Sequence, residues 1–360
     1  MKLLFLSKRR PMGRDLFERP YGRFYYLPRQ CAERGHDVTL LLLEYGNAVP
    51  FDEQRDGLRW LSEPLLSRSP VRYLRRLCRV LETDRPDWII GLSDTYFGIL
   101  AQYYGRKFGI RSCIDAYDNY ESYIQWLKPL HSLWRHALSH ADLVTAAGPD
   151  LLRYMNRQRN ARPAAVVPMA ADPIGFRLLD QAECRSRMGL PEKGKFIGYC
   201  GSTHKNRGVH VLFEAFELLR KRRPEVSLLM SGRSWSNVKI PDSAYQLGYI
   251  DDAEMPVLLN CMDVLTVLNR PTSFGTFSHP VKLYEAMSCG VPVIASATPA
   301  TRWILRDNPD CLVPPSDPEA LCGKLERFLE MGRVTYSDVT DWQTNAGVFE
   351  QMLLQQIRDS

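Results

Sequence analysis

Short apolar runs and amphipathic stretches take turns along the chain. Residues 2–6 (KLLFL) are a run of strand length, residues 24–34 repeat apolar positions at three- and four-residue spacing and stop at Gly35, and residues 37–43 (DVTLLLL) are apolar again. The pattern predicts a buried strand, a helix closed by glycine and a second buried strand, which is a βαβ opening. It continues with a helix over 71–82, a strand over 88–91, a helix over 95–108, a strand over 112–115, a helix over 130–139 and a strand over 143–146. Alternation of this kind builds a parallel sheet covered by helices on both faces.

After an irregular stretch over 166–195 the alternation restarts. Strands are predicted over 196–200, 227–231, 264–268 and 292–295, with helices over 209–222, 253–260 and 280–288 between them. Further helices are predicted over 318–331 and 345–357, the last one amphipathic. The chain therefore divides into two α/β units with a Pro-containing connector, and it shows no internal repeat or low-complexity segment. At 360 residues it also exceeds what one core usually organises.

Composition narrows the class. With 45% hydrophobic, 24% charged and 11% aromatic residues, the chain is neither a disordered tail, a collagen nor a coiled coil. Its apolar runs fall far short of the ~18–20 residues a membrane span needs, and the four-residue run before Ser7-Lys8-Arg9-Arg10 is too short for an export signal. Nine cysteines without a CxxC pair or a Cys/His metal spacing predict buried, reduced thiols in a cytoplasmic protein.

The net charge of +6 is unevenly spread. Residues 1–170 hold 26 Lys/Arg against 18 Asp/Glu, a surplus of eight, while the remainder is slightly acidic. The surplus clusters in Lys8-Arg9-Arg10, Arg14, Arg19, Arg23 and Arg29, and again in Arg68 and in Arg72, Arg75, Arg76 and Arg79 on the predicted 71–82 helix. Two readings stand side by side: a surface that attracts anionic lipid or a phosphorylated acceptor, or a solvated helix face. Nucleic acid is not expected as a partner, because no aromatic residues interleave with the basic ones as a stacking platform.

Candidate chemistry concentrates in residues 273–295, SFGTFSHPVKLYEAMSCGVPVIA. Pro280 suits a first helical turn, and Ser278 or His279 can cap it. A helix N-terminus favours an anion, and Lys282 in the first turn can add a charge-assisted bond to a phosphate oxygen. Glu285 lies one turn deeper on the same face, where a carboxylate can accept from both hydroxyls of a ribose. Lysine for phosphate and glutamate for the diol suit a nucleoside diphosphate; an ordinary surface Lys/Glu pair is the alternative. A second segment, GYCGSTHKNRGVHVLFEAF over 198–216, sets Gly201, Ser202, Lys205, Arg207 and Gly208 between a strand and a helix. Such a loop can cradle a diphosphate, although it is neither a Walker loop nor GxGxxG.

Taken in order, these segments resemble a GT-B-fold glycosyltransferase of family 4, the retaining, nucleotide-sugar-dependent class. The resemblance runs from residue 1 to about 357: GRFYYLPRQCAERGHDVTLLL, HADLVTAAGPDL, VVPMAADPIGF, GSTHKNRGVHVLFEAF, LLMSGR, QLGYIDDAEMPVLLNCMDVL and the Lys/Glu helix with CGVPVIAS follow the family's sequence of landmarks. It implies two Rossmann-like α/β domains facing across a cleft. Residues 1–170 would bind the acceptor, 171–192 link, 193–340 bind the nucleotide sugar, and 341–360 form a helix that returns to the first domain.

The resemblance also assigns roles. Glu285 would hold the donor ribose, and Lys282, Arg207 and Lys205 would neutralise the diphosphate. Gly201, Ser202, Gly232, Leu247, Gly248, Ile250, His279 and Leu283 would complete the donor site. Gly22, Asp115, Tyr117 and Asp118 would lie on the acceptor side, with Asp118 the residue to act as base if a side-chain base is needed. No metal or other cofactor is expected.

Several positions depart from the family pattern. Where many relatives have a glutamate eight residues before Glu285, this chain has Phe277; Ser202 replaces a frequent arginine; and Asp115-Ala116-Tyr117-Asp118 stands where relatives often show Asp-x-His-Asp. Tyrosine, with an ordinary pKa near 10, is a poor base at neutral pH.

The expectation is thus an enzyme moving a sugar from a nucleoside-diphosphate sugar to a glycan or lipid-linked saccharide acceptor in cell-envelope or surface-polysaccharide synthesis. It would be cytoplasmic and peripheral at the inner face of an anionic membrane. A nucleotide-sugar epimerase and a non-catalytic nucleotide- or glycan-binding protein remain open as alternatives.

Overall fold

In the first half of the chain, β1 (Lys2–Lys8), α1 (Arg23–Glu33) and β2 (Asp37–Glu44) form the expected βαβ unit. They lead to β3 (Phe51–Arg55), β4 (Leu58–Pro64), α2 (Pro70–Thr83), β5 (Trp88–Gly91), α3 (Thr95–Phe108) and β6 (Arg111–Ala116). The half closes with α4 (Lys128–His140), β7 (Leu143–Ala146), α5 (Pro149–Met155) and β8 (Ala164–Val166). The second half holds α6 (Gln181–Arg187), β9 (Lys195–Cys200), α7 (Val209–Arg220), β10 (Val226–Ser231), β11 (Ala244–Gln246), α8 (Met255–Cys261) and β12 (Val264–Val267). It ends with α9 (Val281–Ser288), β13 (Val293–Ser296), α10 (Pro299–Ile304), β14 (Leu312–Val313), α11 (Pro318–Phe328) and α12 (Trp342–Arg358). This structure, a computed structural model, describes residues 1–65, 70–159, 162–172, 175–203, 207–232, 239–337 and 339–358.

The chain divides into two units, Met1–Met169 with Trp342–Ser360, and Ala170–Asp341. In the first, an eight-stranded sheet runs β3-β4-β2-β1-β5-β6-β7-β8, parallel except for the β3/β4 hairpin. In the second, a six-stranded parallel sheet runs β11-β10-β9-β12-β13-β14. Each sheet therefore reverses its winding direction once, between β1 and β5 in the first and between β9 and β12 in the second. In sheets of this kind ligands bind beyond the carboxyl ends of the strands at that reversal.

Alternate residues of β1 show why the first sheet is covered twice. Leu3 and Phe5 join a core with Leu27 and Cys31 of α1 and with Ala346, Phe349 and Leu353 of α12. Leu4 and Leu6 point the other way, into Tyr73, Leu77 and Val80 of α2 and Phe97 and Ala101 of α3. The final helix is thus part of the first unit's core, and Glu350 on it binds Arg34 at 2.6 Å and His36 Nε2 at 2.7 Å. Burial raises the Glu350 pKa, but the bonds from Arg34 and His36 outweigh it and hold the carboxyl below its usual range. Stability from such a group is present above its unfolded-state pKa and disappears as pH falls through the lowered folded value. Glu350→Gln is accordingly expected to lower the Tm at pH 7 and to match the wild type at pH 3, which thermal unfolding at the two pH values checks.

The sequence pattern passes over α5, α10 and the short strands β8, β11 and β14, and two more stretches also differ from expectation. The hairpin of β3 and β4 lacks an apolar rhythm because β3 reads Phe-Asp-Glu-Gln-Arg and is mostly exposed. Its signal is the Asp56-Gly57 turn, with φ of 55° and 76°, the two-residue geometry that joins antiparallel strands. In the stretch expected to be irregular, Asp180 caps α6 by accepting from the Glu183 amide.

Candidate active site

At the reversal in the second sheet, three turns meet at the carboxyl ends of β9, β10 and β11. The Gly201 amide donates to Ser231 O at 2.9 Å, and the Gly232 amide donates to Gly248 O at 2.6 Å. Gly232 has a φ of 114°, and a Cβ there would lie 2.5 Å from Gly201 O. Only glycine allows this approach. The phosphate-loop candidate is braced from below, since the Tyr199 hydroxyl donates to Ser202 O at 2.8 Å.

Beyond β12 the chain passes through Leu268, Asn269 and Arg270 to α9. Asn269 is 2% exposed; its Oδ1 accepts from Arg207 Nη1 at 3.2 Å, and its buried Nδ2 has no acceptor among the described residues. The Arg207 guanidinium also lies 5.0 Å from the Phe274 ring centre. Asn269 was not singled out from the sequence, although its place two residues past the central strand β12 marks it.

The eight-residue helix α9 starts at Val281, with Pro280 as an extended N-cap residue rather than in the first turn, and no side chain caps it. The expected capping by Ser278 or His279 is therefore corrected: both are 4% exposed, and His279 Nδ1–H donates to Phe277 O at 2.9 Å. Lys282 Nζ donates to Glu285 Oε2 at 2.6 Å, with the side chains 29% and 11% exposed. The half-buried Cys200 thiol at the end of β9 is pushed up by desolvation, opposed by the Lys282 charge and reinforced by that of Glu285. At its far end α9 closes on Gly290, with φ of 65°, through Gly290 N–H to Met287 O and Val291 N–H to Ala286 O.

The structure thus brings Gly201, Ser202, Arg207, Gly232, Gly248, Lys282 and Glu285 to one edge of the second sheet. Leu247 and Ile250 are half-buried on the same edge, after β11. The Leu283 side chain is fully buried in the core. Lys205 lies outside the described residues. Among the described residues no group of three or more His, Cys, Asp or Glu side chains converges on a metal position.

The acceptor-side candidates belong to the first unit. Gly22 starts α1 with φ of 60° and open space where a Cβ would be. Asp115 is corrected to a structural residue: it is 1% exposed, takes Arg23 Nε at 2.6 Å and Nη2 at 2.5 Å, and accepts from Thr145 Oγ1. Tyr117 packs against Phe24 and Tyr120, and burial with the neighbouring Asp118 charge raises its phenol well above the usual value. It is no base. Asp118, 9% exposed, accepts from the Tyr123 hydroxyl at 2.8 Å.

The first basic cluster is largely neutralised from within. Lys8 pairs with Asp94, Arg9 with Asp15, Arg10 with Glu44 and Asp15, Arg23 with Asp115 and Arg29 with Glu33. On α2, Arg76 pairs with Asp52, while Arg75 and Arg79 are exposed and make no ion pair among the described residues. No helix among the described residues is long and apolar enough to cross a membrane.

Comparison with known proteins agrees with this architecture. Residues 23–170 match the model of the glycosyl transferase 4-like domain, and residues 194–331 match that of glycosyl transferases group 1. The chain belongs to the GT-B-fold glycosyltransferases of family 4. It is 28% identical over 211 residues to D-inositol 3-phosphate glycosyltransferase of Salinispora arenicola, covering 52% of this chain and 46% of that protein. It is 32% identical over 165 residues to phosphatidyl-myo-inositol mannosyltransferase of Mycobacterium leprae, covering 44% and 43%. The chain spans about half the length of the curated relatives it matches. Among solved structures, sucrose-phosphate synthase of Thermosynechococcus elongatus superposes with a TM-score of 0.78 at 17% identity over 100% of both chains. Anabaena HepE in complex with UDP does so with 0.71 at 14% identity, over 100% of this chain and 99% of that one. These two likenesses establish the fold.

Proposed function

We propose that the protein transfers a sugar from a nucleoside-diphosphate sugar, with retention at the anomeric carbon, to a glycan or lipid-linked saccharide acceptor. The observation that carries this reading is that Arg207, which follows β9 and binds Asn269 past β12, and the Lys282–Glu285 pair at the start of α9 both lie at the carboxyl edge of the second sheet, at its winding reversal. A donor that engages both Lys282 and Glu285 exchanges their mutual bond for a phosphate on the lysine and a ribose diol on the glutamate. The base lies towards Leu247, Gly248 and Ile250. The UDP and UDP-glucose in the HepE complexes make a uridine donor the first to try.

Breaking the anomeric C–O bond sends its electron pair to the departing diphosphate and leaves oxocarbenium character on the sugar. Cations fixed at the leaving group act where that charge develops. Lys282 and Arg207 fill this role in our reading, without a metal. The acceptor oxygen bonds to the anomeric carbon on the face the diphosphate leaves, and its proton passes to the departing phosphate, with Asp118 on the acceptor side.

The inositol-phosphate and phosphatidylinositol relatives support an acceptor rich in hydroxyls and carried near lipid. The exposed Arg75 and Arg79 on α2 support contact with an anionic membrane at its cytoplasmic face, in envelope or surface-polysaccharide synthesis. The test is diphosphate release from UDP-, GDP- and ADP-sugars in the presence of EDTA. Release from at least one donor class is expected; strict dependence on added metal contradicts the assignment of Lys282 and Arg207, and no release from any contradicts the reading itself.

A further inference from the structure

The first sheet has its own winding reversal, between β1 and β5, and the side chains there are not surface accidents. Ser93, just past β5, is 2% exposed and holds a φ of 69°, a left-handed conformation that serine adopts at a cost. Its hydroxyl oxygen accepts from the Lys8 amide and from the Ser7 hydroxyl, both at 3.1 Å, so a side chain joins the ends of the two strands. The next residue, Asp94, is oriented by α3: its Oδ1 accepts from the Thr95 amide at 2.7 Å, which leaves Oδ2 to meet Lys8 Nζ at 2.5 Å.

Tyrosines surround this pair. The phenols of Tyr45, Tyr96 and Tyr117 are all raised, first by burial, with the Asp94 charge contributing to each. Lys8 Nζ lies 6.0 Å from the Tyr123 ring centre, and the Tyr123 hydroxyl is held by Asp118. Tyr45 and Tyr123 remain 39% and 38% exposed. Tyrosine offers an apolar face and a polar tip, the combination a sugar or cyclitol ring requires of its neighbours.

The local charge decides what kind of ring fits. Lys8 is matched by Asp94, Arg9 by Asp15, and Arg10 by Glu44. With Asp118 close by, an incoming phosphate would meet cations already paired and carboxylates beside them. A hydroxyl group, by contrast, both accepts from an ammonium and donates to a carboxylate, and a close Lys/Asp pair presents both.

We propose that the carboxyl edge of the first sheet at the β1/β5 reversal binds the acceptor through neighbouring hydroxyls of an uncharged polyol ring, one accepting from Lys8 Nζ and one donating to Asp94 Oδ2, with tyrosine beside the ring. This rests on the glycosyl-transfer reading and names the part of the acceptor that the first unit recognises. Any phosphate of a lipid-linked acceptor lies outside this site.

Saturation-transfer NMR on the full chain tests it, with myo-inositol and methyl α-D-glucopyranoside as neutral probes, myo-inositol 1-phosphate as the anionic one, and UDP as the donor-side control. At least one neutral probe is expected to receive saturation, falling ~10-fold or more in Lys8→Met and Asp94→Asn, the second of which keeps an oxygen to cap α3. The UDP signal is expected to stay unchanged in both variants, and cooperative thermal unfolding close to the wild-type Tm reports an intact first unit. Failure of both neutral probes, equal transfer in the variants, or binding of the phosphorylated probe alone overturns the proposal. Loss of the UDP signal in the wild type counts against the donor reading instead, and the neutral probes still decide the acceptor site.

Discussion

Asp115→Ala is expected to destabilise the first unit by about 3–5 kcal/mol, the cost of removing one partner of a buried ion pair. The Arg23 side chain is fully buried and the Asp115 side chain is 1% exposed, so water cannot replace the lost carboxylate. Arg23 is also the clamp that joins α1 to the end of the first sheet, because its Nη1 donates to Val167 O at 2.6 Å and to Pro168 O at 3.1 Å. Asn345 Nδ2 donates to the same Pro168 carbonyl, which ties α12 to the same point. A loss of this size is a large fraction of the ~5–15 kcal/mol that holds a typical domain together. Urea denaturation is the measurement, and the double variant Arg23→Met with Asp115→Ala is expected to recover part of the loss because no charge is left stranded. A shift below about 1 kcal/mol for Asp115→Ala would mean that the pair contributes as little as one on the surface.

Lys282→Ala is expected to lower turnover by ~10²–10³, the range seen when one preorganised donor to a developing negative charge is removed. Its effect on stability should be small, since the lysine is 29% exposed and its i,i+3 bond to Glu285 is worth only a few tenths of a kcal/mol. The combination of a large kinetic and a small structural effect separates a leaving-group role from a packing role. Single-turnover diphosphate release alongside thermal unfolding measures both. A fall of less than ~3-fold in turnover would remove Lys282 from the chemistry.

Much of the architecture was legible because local signals and burial agree. Helix α3 was read to both ends, since Asp94 caps one and Gly109, in the left-handed conformation, closes the other. The inner strands β1, β2, β5, β6, β7, β9, β10, β12 and β13 were legible as largely apolar runs, the mark of burial on two faces, whereas β8, β11 and β14, two or three residues long at or near the sheet edges, were not. The β3/β4 hairpin was missed because a polar edge strand carries no such run, although Asp56-Gly57 announced the turn. Similarly, Asp180 and Glu183 spell a helix start that a loop reading passed over.

The proposed donor site takes its charged residues from two continuous segments, 198–216 and 273–295, whereas Gly232, Leu247, Gly248 and Ile250 come from turns elsewhere in the second unit. What the sequence hid is pairing at a distance. Lys8 meets Asp94 across 86 positions and Arg23 meets Asp115 across 92. Because charges look alike whether buried or exposed, a run such as Lys8-Arg9-Arg10 suggested an anion-binding surface where the fold builds internal ion pairs. Asp115, read as facing an acceptor, turned inward for the same reason. Leu283 shares a helix turn with Lys282 but not its face, and its side chain packs into the core.

The central claim is that the carboxylate on α9 grips the nucleotide by its ribose. Isothermal titration of UDP, GDP and ADP into the wild type and into Glu285→Gln tests it most directly, without needing the acceptor. The account predicts that at least one nucleotide binds and that the substitution weakens it by ~10-fold or more, the loss of a charge-assisted hydrogen bond. Equal affinity of the two proteins for the nucleotide that binds, or no binding of any of the three, would contradict it.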